Sequence, residues 1–512
     1  MMRVLLLLSA APILSAATCE SLATLALPHT TIAAAESHAA GDFGEQHHLP
    51  AFCRVTGSLK PSADSDIRFE VWLPAANWNG KFQGVGNGGF AGDLNTGGLA
   101  DALRHNYASA TTDTGHEASG IDARWALRHP EKIIDYGYRG IHETAVTAKL
   151  ILQKFYGEAP RWSYFNSCSN GGRQALMEAQ RFPADYNGII AGAPANFWTH
   201  LLSDGAWNML ATLGKPEDYI PASKLPAIQA AALAACDTID HVKDGVIEDP
   251  RRCHFDPSVL LCKGGDSPAC LTAPQLTALK KLYAGSVNSR GERIFPGYSP
   301  GGEADPAGWL PWITGPAPEK SAMYYFGTQY FMNMVFDNPD WQFRTFNIDR
   351  DVPIADEKTA RILNSNDPDL SGFQKRGGKL ILYHGWSDAA IPAQNAINYV
   401  DSVATKMGAA NIEGFLRLYM VPGMQHCGGG AGTTSFGEAG TPAADRFHDI
   451  DAALEAWVEH GQAPSEIIAS KLNPSGAVIR TRPLCPYPSV ATYKGTGSTD
   501  DSANFACIAP AK

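Results

Sequence analysis

Between Asp66 and Leu73 apolar and polar positions alternate, with Ile67, Phe69, Val71 and Leu73 interleaved by Arg68, Glu70 and Trp72. That is the period of a β-strand. Gly80 to Val85 predicts a second short strand, which runs into the loop Gly86-Asn87-Gly88-Gly89-Phe90-Ala91-Gly92. From Arg139 to Tyr156 the period lengthens, with Ile141, Ala145, Ala148 and Ile151 on one face, and predicts a helix. Tyr164 and Phe165 predict another strand, followed by a turn and a helix from Arg173 to Arg181 that Pro183 closes. Strand and helix alternate, so the first third predicts an α/β layer with a mainly parallel sheet. Residues 19 to about 60 read as a leader with turn residues and no sustained period.

The rhythm stops at about residue 195. The middle of the chain carries scattered tryptophans, many Pro and Gly, and four closely spaced cysteines at 236, 253, 262 and 270. It resumes at Lys379 to Tyr383, again at Phe415 to Val421, and ends in a helix from about Asp449 to His460. A sheet that halts and restarts implies an insertion. The expected division is a core of residues 18–194 and 370–512, interrupted by an inserted lid at 195–369. At the N-terminus, Met1-Met2-Arg3, an apolar run from Val4 to Leu14 and the small residues Ser15-Ala16-Ala17 have the plan of a signal peptide over residues 1–17. The run is too short to span a bilayer, and no later stretch approaches ~20 uninterrupted apolar residues. The mature chain is expected to be periplasmic or secreted.

Composition narrows the function. Charged residues are 18% of the chain and the net charge is −11, with no basic run, which argues against nucleic acid or an anionic membrane surface as the main partner. Ten cysteines in an exported chain read as a disulfide set.

The candidate chemistry sits at three strand ends. Asn166-Ser167-Cys168-Ser169-Asn170-Gly171-Gly172 joins a strand to a helix. A serine on such a turn exposes its hydroxyl at the sheet edge, and the N–H after it, that of Asn170, points where an oxyanion would form. Small residues are needed two before and two after the nucleophile; Gly171 meets this, and Ser167 replaces the usual first Gly. Asp388 follows the strand at Leu380 to Tyr383, and His426 follows the one at Phe415 to Val421. The order Ser169, Asp388, His426 is that of α/β-hydrolases, with Ser169 as nucleophile, His426 as base and Asp388 as its orienter. Cys168 precedes the serine and Cys427 follows the histidine. A bond between them would tie the nucleophile and base loops within one residue on each side, as near-attack positioning requires.

These features resemble the tannase and feruloyl esterase family of secreted α/β-hydrolases, across nearly the whole mature chain. The resemblance rests on Cys168-Ser169 with His426-Cys427, on His384-Gly385-Trp386-Ser387-Asp388, and on Trp78-Asn79-Gly80-Lys81-Phe82. Asp185 to Ala195 and the run Arg482-Pro483-Leu484-Cys485-Pro486 match as well. It implies an α/β-hydrolase core with a large inserted lid, the Ser169–His426–Asp388 triad, and an oxyanion hole from the Asn170 N–H and a glycine N–H, for which Gly88 is the choice.

After Cys236, the stretch Asp237 to Asp249 packs five carboxylates into thirteen positions. Asp237, Asp240 and Asp244, with Gly245 permitting a turn, suit the oxygen-rich shell of Ca²⁺, and Cys253 could bond Cys236 around them. A solvated acidic turn is the other reading of the residues alone. The resemblance implies a structural Ca²⁺ there, its shell completed by the carbonyls of Val242 and Val246. By local spacing and the same likeness, the remaining cysteines pair as Cys19–Cys53, Cys262–Cys270 and Cys485–Cys507.

The substrate implied is a small aromatic ester, free or attached to plant polysaccharide or polyphenol. Feruloyl esters stand first; galloyl esters and terephthalate half-esters are alternatives. The aromatics Trp198, Tyr324, Tyr325, Phe326, Tyr330, Phe331 and Phe336 predict an apolar slot for a flat ring, two or three of them touching it and the rest plain core. A secreted serine peptidase on the same fold and a non-catalytic Ca²⁺-dependent binding protein are the readings from other classes.

Overall fold

The computed structural model describes residues 17–437 and 443–509. The expected signal peptide, residues 1–17, lies outside the described residues except for Ala17. Among the described residues nine strands form one sheet: β1 (Thr30–His38), β2 (Phe52–Leu59), β3 (Ile67–Pro74), β4 (Lys81–Val85), β5 (Ala108–Thr112), β6 (Trp162–Cys168), β7 (Gly188–Gly192), β8 (Lys379–Gly385) and β9 (Leu416–Val421). Their order across the sheet is β1-β2-β3-β5-β4-β6-β7-β8-β9. The pairs β1/β2, β2/β3 and β3/β5 are antiparallel, and every pair from β5 to β9 is parallel. The architecture is the α/β-hydrolase fold.

The parallel half explains why its strands read as apolar runs. Gly188-Ile-Ile-Ala-Gly192 is buried at all five positions, and β8 is buried from Leu380 onward, because helices cover both faces of a parallel sheet. The strand from Ile67 to Pro74 departs from its alternating pattern. Glu70 and Trp72, on the face expected to be polar, are buried too. Glu70 accepts from Arg54 Nε (2.9 Å) and from Trp72 Nε1 (2.9 Å), so the carboxylate is satisfied under cover.

The reading of residues 19 to about 60 as a leader with no sustained period is corrected: β1 and β2 form one edge of the sheet. In β2, Cys53, Val55, Gly57 and Leu59 are buried and alternate with partly exposed Arg54, Thr56 and Ser58. Gly57 hides that period, and a Cβ there would meet Thr31 O at 2.6 Å. The helix expected from Arg173 begins at Asn170.

Between β7 and β8 the chain adds no strand to this sheet among the described residues. It builds helices instead, including α1 (Trp198–Leu213), Leu225–Cys236, Ala273–Ala284 and α2 (Ala322–Tyr330). Two apolar clusters hold them, one around Trp198, Met209, Tyr330 and Phe331 and one around Ile228, Leu279 and Trp309. The last core helix, Ile450–His460, is capped by the Asp449 side chain on the N–H groups of Asp451 and Ala452 and ends at Gly461, φ 68°. No helix of the described residues is long and apolar enough to cross a membrane.

All ten cysteines pair, as Cys19–Cys53, Cys168–Cys427, Cys236–Cys253, Cys262–Cys270 and Cys485–Cys507. The Cys168–Cys427 bond spans 259 positions and Cys262–Cys270 spans 8. On chain entropy the first contributes about 5–6 kcal/mol and the second about 2–3 kcal/mol. Denaturant midpoints should therefore fall further in a Cys168→Ala/Cys427→Ala double variant than in Cys262→Ala/Cys270→Ala; equal losses would contradict the ranking.

One buried group should set a pH dependence. Asp204 on α1 accepts from Asn208 Nδ2 (2.7 Å) and from the Ser286 N–H (3.2 Å), and burial pushes its carboxyl up to about 7. A carboxyl raised in the folded state binds more protons there than in the unfolded chain. Its contribution is full below about pH 4 and declines as pH rises toward 7. Between pH 5 and 8 this amounts to roughly 3 kcal/mol. Melting of Asp204→Asn should lose less stability than the parent over that range.

Candidate active site

The site is built where parallel strands end. After Cys168, the last residue of β6, the chain turns at Ser169 with φ 68° and ψ −126° and enters the helix Asn170–Arg181. The turn is closed by Ser169 N–H on Gly192 O (3.0 Å) and by the N–H groups of Arg173 and Ala195 on Ser169 O (3.0 and 3.1 Å). Glycines are required beside it. A Cβ on Gly171 would lie 1.9 Å from Ser167 Oγ, and one on Gly172 would lie 2.3 Å from Gly192 O.

Ser169 Oγ is 2.8 Å from His426 Nε2, and His426 Nδ1 is 2.9 Å from Asp388 Oδ2. The carboxylate is an acceptor only, so Nδ1 carries the proton and Nε2 is free to accept from the serine hydroxyl. Asp388 is fully buried. Its Oδ1 accepts from the N–H groups of Ala390 (2.8 Å) and Ile391 (2.9 Å), and His384 Nε2 approaches Oδ2 at 3.2 Å. Burial alone would raise the carboxyl, but His426 and His384 outweigh it and hold Asp388 well below the ordinary range. The sequence reading quoted His384 without giving it a role; the structure places it as a second imidazole on Asp388. Its Nε2 also reaches Ile391 O at 3.0 Å.

Several contacts fix these loops to one another. Trp386 N–H donates to Val421 O (2.9 Å) and Ser387 N–H to Met424 O (3.0 Å), joining the loop of Asp388 to that of His426. Gln425 Nε2 donates to Gly302 O (2.8 Å), so the base loop is also anchored to the inserted segment. The disulfide Cys168–Cys427 joins the serine and histidine loops directly.

The glycine-rich loop is held beside the serine. Gln174 Oε1 accepts the Asn87 N–H (3.0 Å), and Asn170 Nδ2 donates to Asn87 O (3.3 Å). As the first residue of its helix, Asn170 has an N–H with no intrahelical acceptor. Gly89, not Gly88, shares a cavity with Ser169; Gly88 lines a separate cavity with Asn166 and Ser167. The Tyr136 hydroxyl lies 2.9 Å from Gly89 O and 3.0 Å from Asn170 Oδ1, bridging the two sides of the expected oxyanion site.

Below them sits a cation that the sequence reading did not anticipate. Arg173 is fully buried and faces no carboxylate in a salt bridge among the described residues. It donates to Asn170 Oδ1 (2.8 Å) and to the carbonyls of Gly137 (2.8 Å), Leu363 (3.2 Å) and Tyr136 (3.1 Å). Its guanidinium also packs 4.8 Å from the Tyr136 ring centre. An arginine in a turn-proximal helix reads as surface; the signal that it is not is the glycine crowding that presses this helix into the sheet.

The cavity beside Ser169 has a volume of about 90 Å³, on the order of a single aromatic ring. Trp198, Trp312, Phe326 and Tyr298 contribute its rings; Leu201, Met323 and Ile391 are among its aliphatic walls. Of the seven aromatics expected to form a slot, Trp198 and Phe326 line it. Tyr330 and Phe331 are buried core. Trp312 and Tyr298 enter instead, the Trp312 ring nearly perpendicular to that of His426 with centres 4.9 Å apart.

The acidic loop lies apart. Asp237 Oδ1 accepts from the N–H groups of Asp244 and Gly245 (both 3.1 Å), and Asp240 Oδ1 from that of Val242 (3.1 Å). Asp244 Oδ2 meets Arg482 (2.8 Å) and Arg480 (3.2 Å). Burial, and then the neighbouring Asp244, push the Asp240 carboxyl up, and Asp240 forms no salt bridge among the described residues.

Comparison with known proteins places the chain. A family model described as tannase and feruloyl esterase matches residues 53–508. An uncharacterized esterase of Xanthomonas campestris pv. campestris is 46% identical, over 96% of this chain and 92% of that protein. A mono(2-hydroxyethyl) terephthalate hydrolase of Piscinibacter sakaiensis is 34% identical, over 90% of this chain and 85% of its own. The crystal structure of feruloyl esterase B from Aspergillus oryzae superposes with a TM-score of 0.89 at 29% identity, covering 96% of this chain and 99% of that one. The chain belongs to the tannase and feruloyl esterase family of carboxylic ester hydrolases.

Proposed function

We propose that the chain is an exported serine esterase that cleaves esters of phenolic acids, feruloyl esters foremost, through an acyl-enzyme. The observation that carries the reading is the line Asp388 Oδ2, His426 Nδ1, His426 Nε2, Ser169 Oγ, at 2.9 and 2.8 Å, opening on a ring-lined cavity. His426 takes the Ser169 proton as Oγ attacks the ester carbonyl. The N–H groups of Asn170 and of the Gly88-Gly89 turn receive the oxyanion, Gly89 being the better placed. His426 then hands its proton to the leaving alcohol, and water, deprotonated in turn by His426, releases the acid. Asp388 keeps the imidazole in the required tautomer throughout. Export is supported by five disulfides and by the leader pattern of residues 1–17.

Ser169→Ala should lower kcat for methyl ferulate by roughly 10³-fold or more with an unchanged melting temperature. Retained ester hydrolysis in that variant would sink the reading, and cleavage of amides but not esters would favour a peptidase. Protonated His426 cannot act as base, so kcat/KM should fall as the pH is lowered. Asp388, held low, stays ionised over the same range. A rate that is flat down to pH 4 would contradict the assignment.

The reading includes a structural Ca²⁺ held by Asp237, Asp240, Asp244 and the carbonyls of Val242 and Val246. The donors are all oxygen, and a divalent ion would relieve the charge that Asp240 and Asp244 impose on each other. Its role is to stiffen the inserted segment beside the Cys236–Cys253 bond. Chelation with EDTA should lower the melting temperature and added Ca²⁺ restore it; an unchanged melting temperature would count against the ion.

A further inference from the structure

Whatever ester this site accepts, the group seated beside Ser169 meets an uncharged wall. Among the described residues the cavity lining includes no Lys, Arg, Asp or Glu side chain. Its titratable members are His426, committed to Ser169 and Asp388, and Tyr298. The nearest buried cation, Arg173, lies below the floor with its donors spent on Asn170 and three backbone carbonyls. It does not line the cavity. Asp204, on the helix that supplies Trp198, Leu201 and Leu202 to the wall, is buried behind it and would repel an anion if ionised.

We propose that the acyl pocket selects esters of uncharged aromatic acids and rejects those that carry a carboxylate on the ring. The inference rests on the esterase reading above and divides this chain from the terephthalate half-ester hydrolase that it resembles, whose named substrate bears such a carboxylate. A carboxylate entering this pocket would give up its hydration and find no cation in return. A ring without charge loses little and gains contact with Trp198, Trp312 and Phe326.

The test compares dimethyl terephthalate with monomethyl terephthalate, which share ring and leaving alcohol and differ in charge, with methyl benzoate alongside. Expected is a kcat/KM for the half-ester roughly 10²-fold or more below that of the diester at pH 7.5, corrected for the diester's two cleavable bonds. A cation introduced on the wall by Met323→Lys should narrow that gap by about 10-fold or more. A half-ester cleaved as fast as the diester overturns the proposal, and the parent enzyme alone decides this if the variant does not fold. Absence of turnover with every ester would overturn the esterase reading and this inference with it, a result distinct from a reversed preference.

Discussion

Ser169 is held at φ 68°, a conformation that costs a non-glycine residue on the order of 1–3 kcal/mol and persists where surrounding contacts over-determine it. Here they are the Gly192 carbonyl on its N–H, two amides on its carbonyl, and a helix pressed so close that Gly171 and Gly172 admit no side chain. The same closeness brings Gln174 and Asn170 against Asn87, so the glycine-rich loop is set by the turn that sets the nucleophile. Relaxing the turn would move the serine, the expected oxyanion donors and the mouth of the cavity together.

Electrostatics follow from that packing. A buried guanidinium and a helix N-terminus both direct positive potential toward the place where an oxyanion would form. The compensating negative charge is kept on Asp388, on the far side of His426. Between them the cavity wall is neutral. In a site shielded from water, charges separated in this way act more strongly than they would at a surface.

The parts legible in the sequence were those where one residue type satisfies one requirement. Leu380 to Tyr383 must be apolar on both faces, and the turn at Ser169 must carry small neighbours, so both announce themselves. Ala108-Ser-Ala-Thr-Thr112 is buried at every position yet has neither bulk nor alternation; its alanines share an apolar cluster with Phe69, Val71 and Phe82 of the adjacent strands. Arg173 and Glu70 were hidden for a related reason. Their burial depends on acceptors and donors brought from distant segments, such as Leu363 and Arg54, and no local pattern encodes those. Gly88 and Gly89 differ by one position, and which of them faces the serine is decided by the loop's fold.

The bond between Cys168 and Cys427 also has an order in time. During synthesis the first 168 residues present three cysteines, Cys19, Cys53 and Cys168. The first two sit at the N-terminal edge of the sheet and pair with each other. Cys168 is left as a lone thiol next to the serine while the whole inserted segment, with its own four cysteines, is made. Its partner arrives only with the strand end that also delivers the histidine. In chain order four non-native thiols thus stand between Cys168 and its partner, and the native pairing leaves those four bonded among themselves as Cys236–Cys253 and Cys262–Cys270.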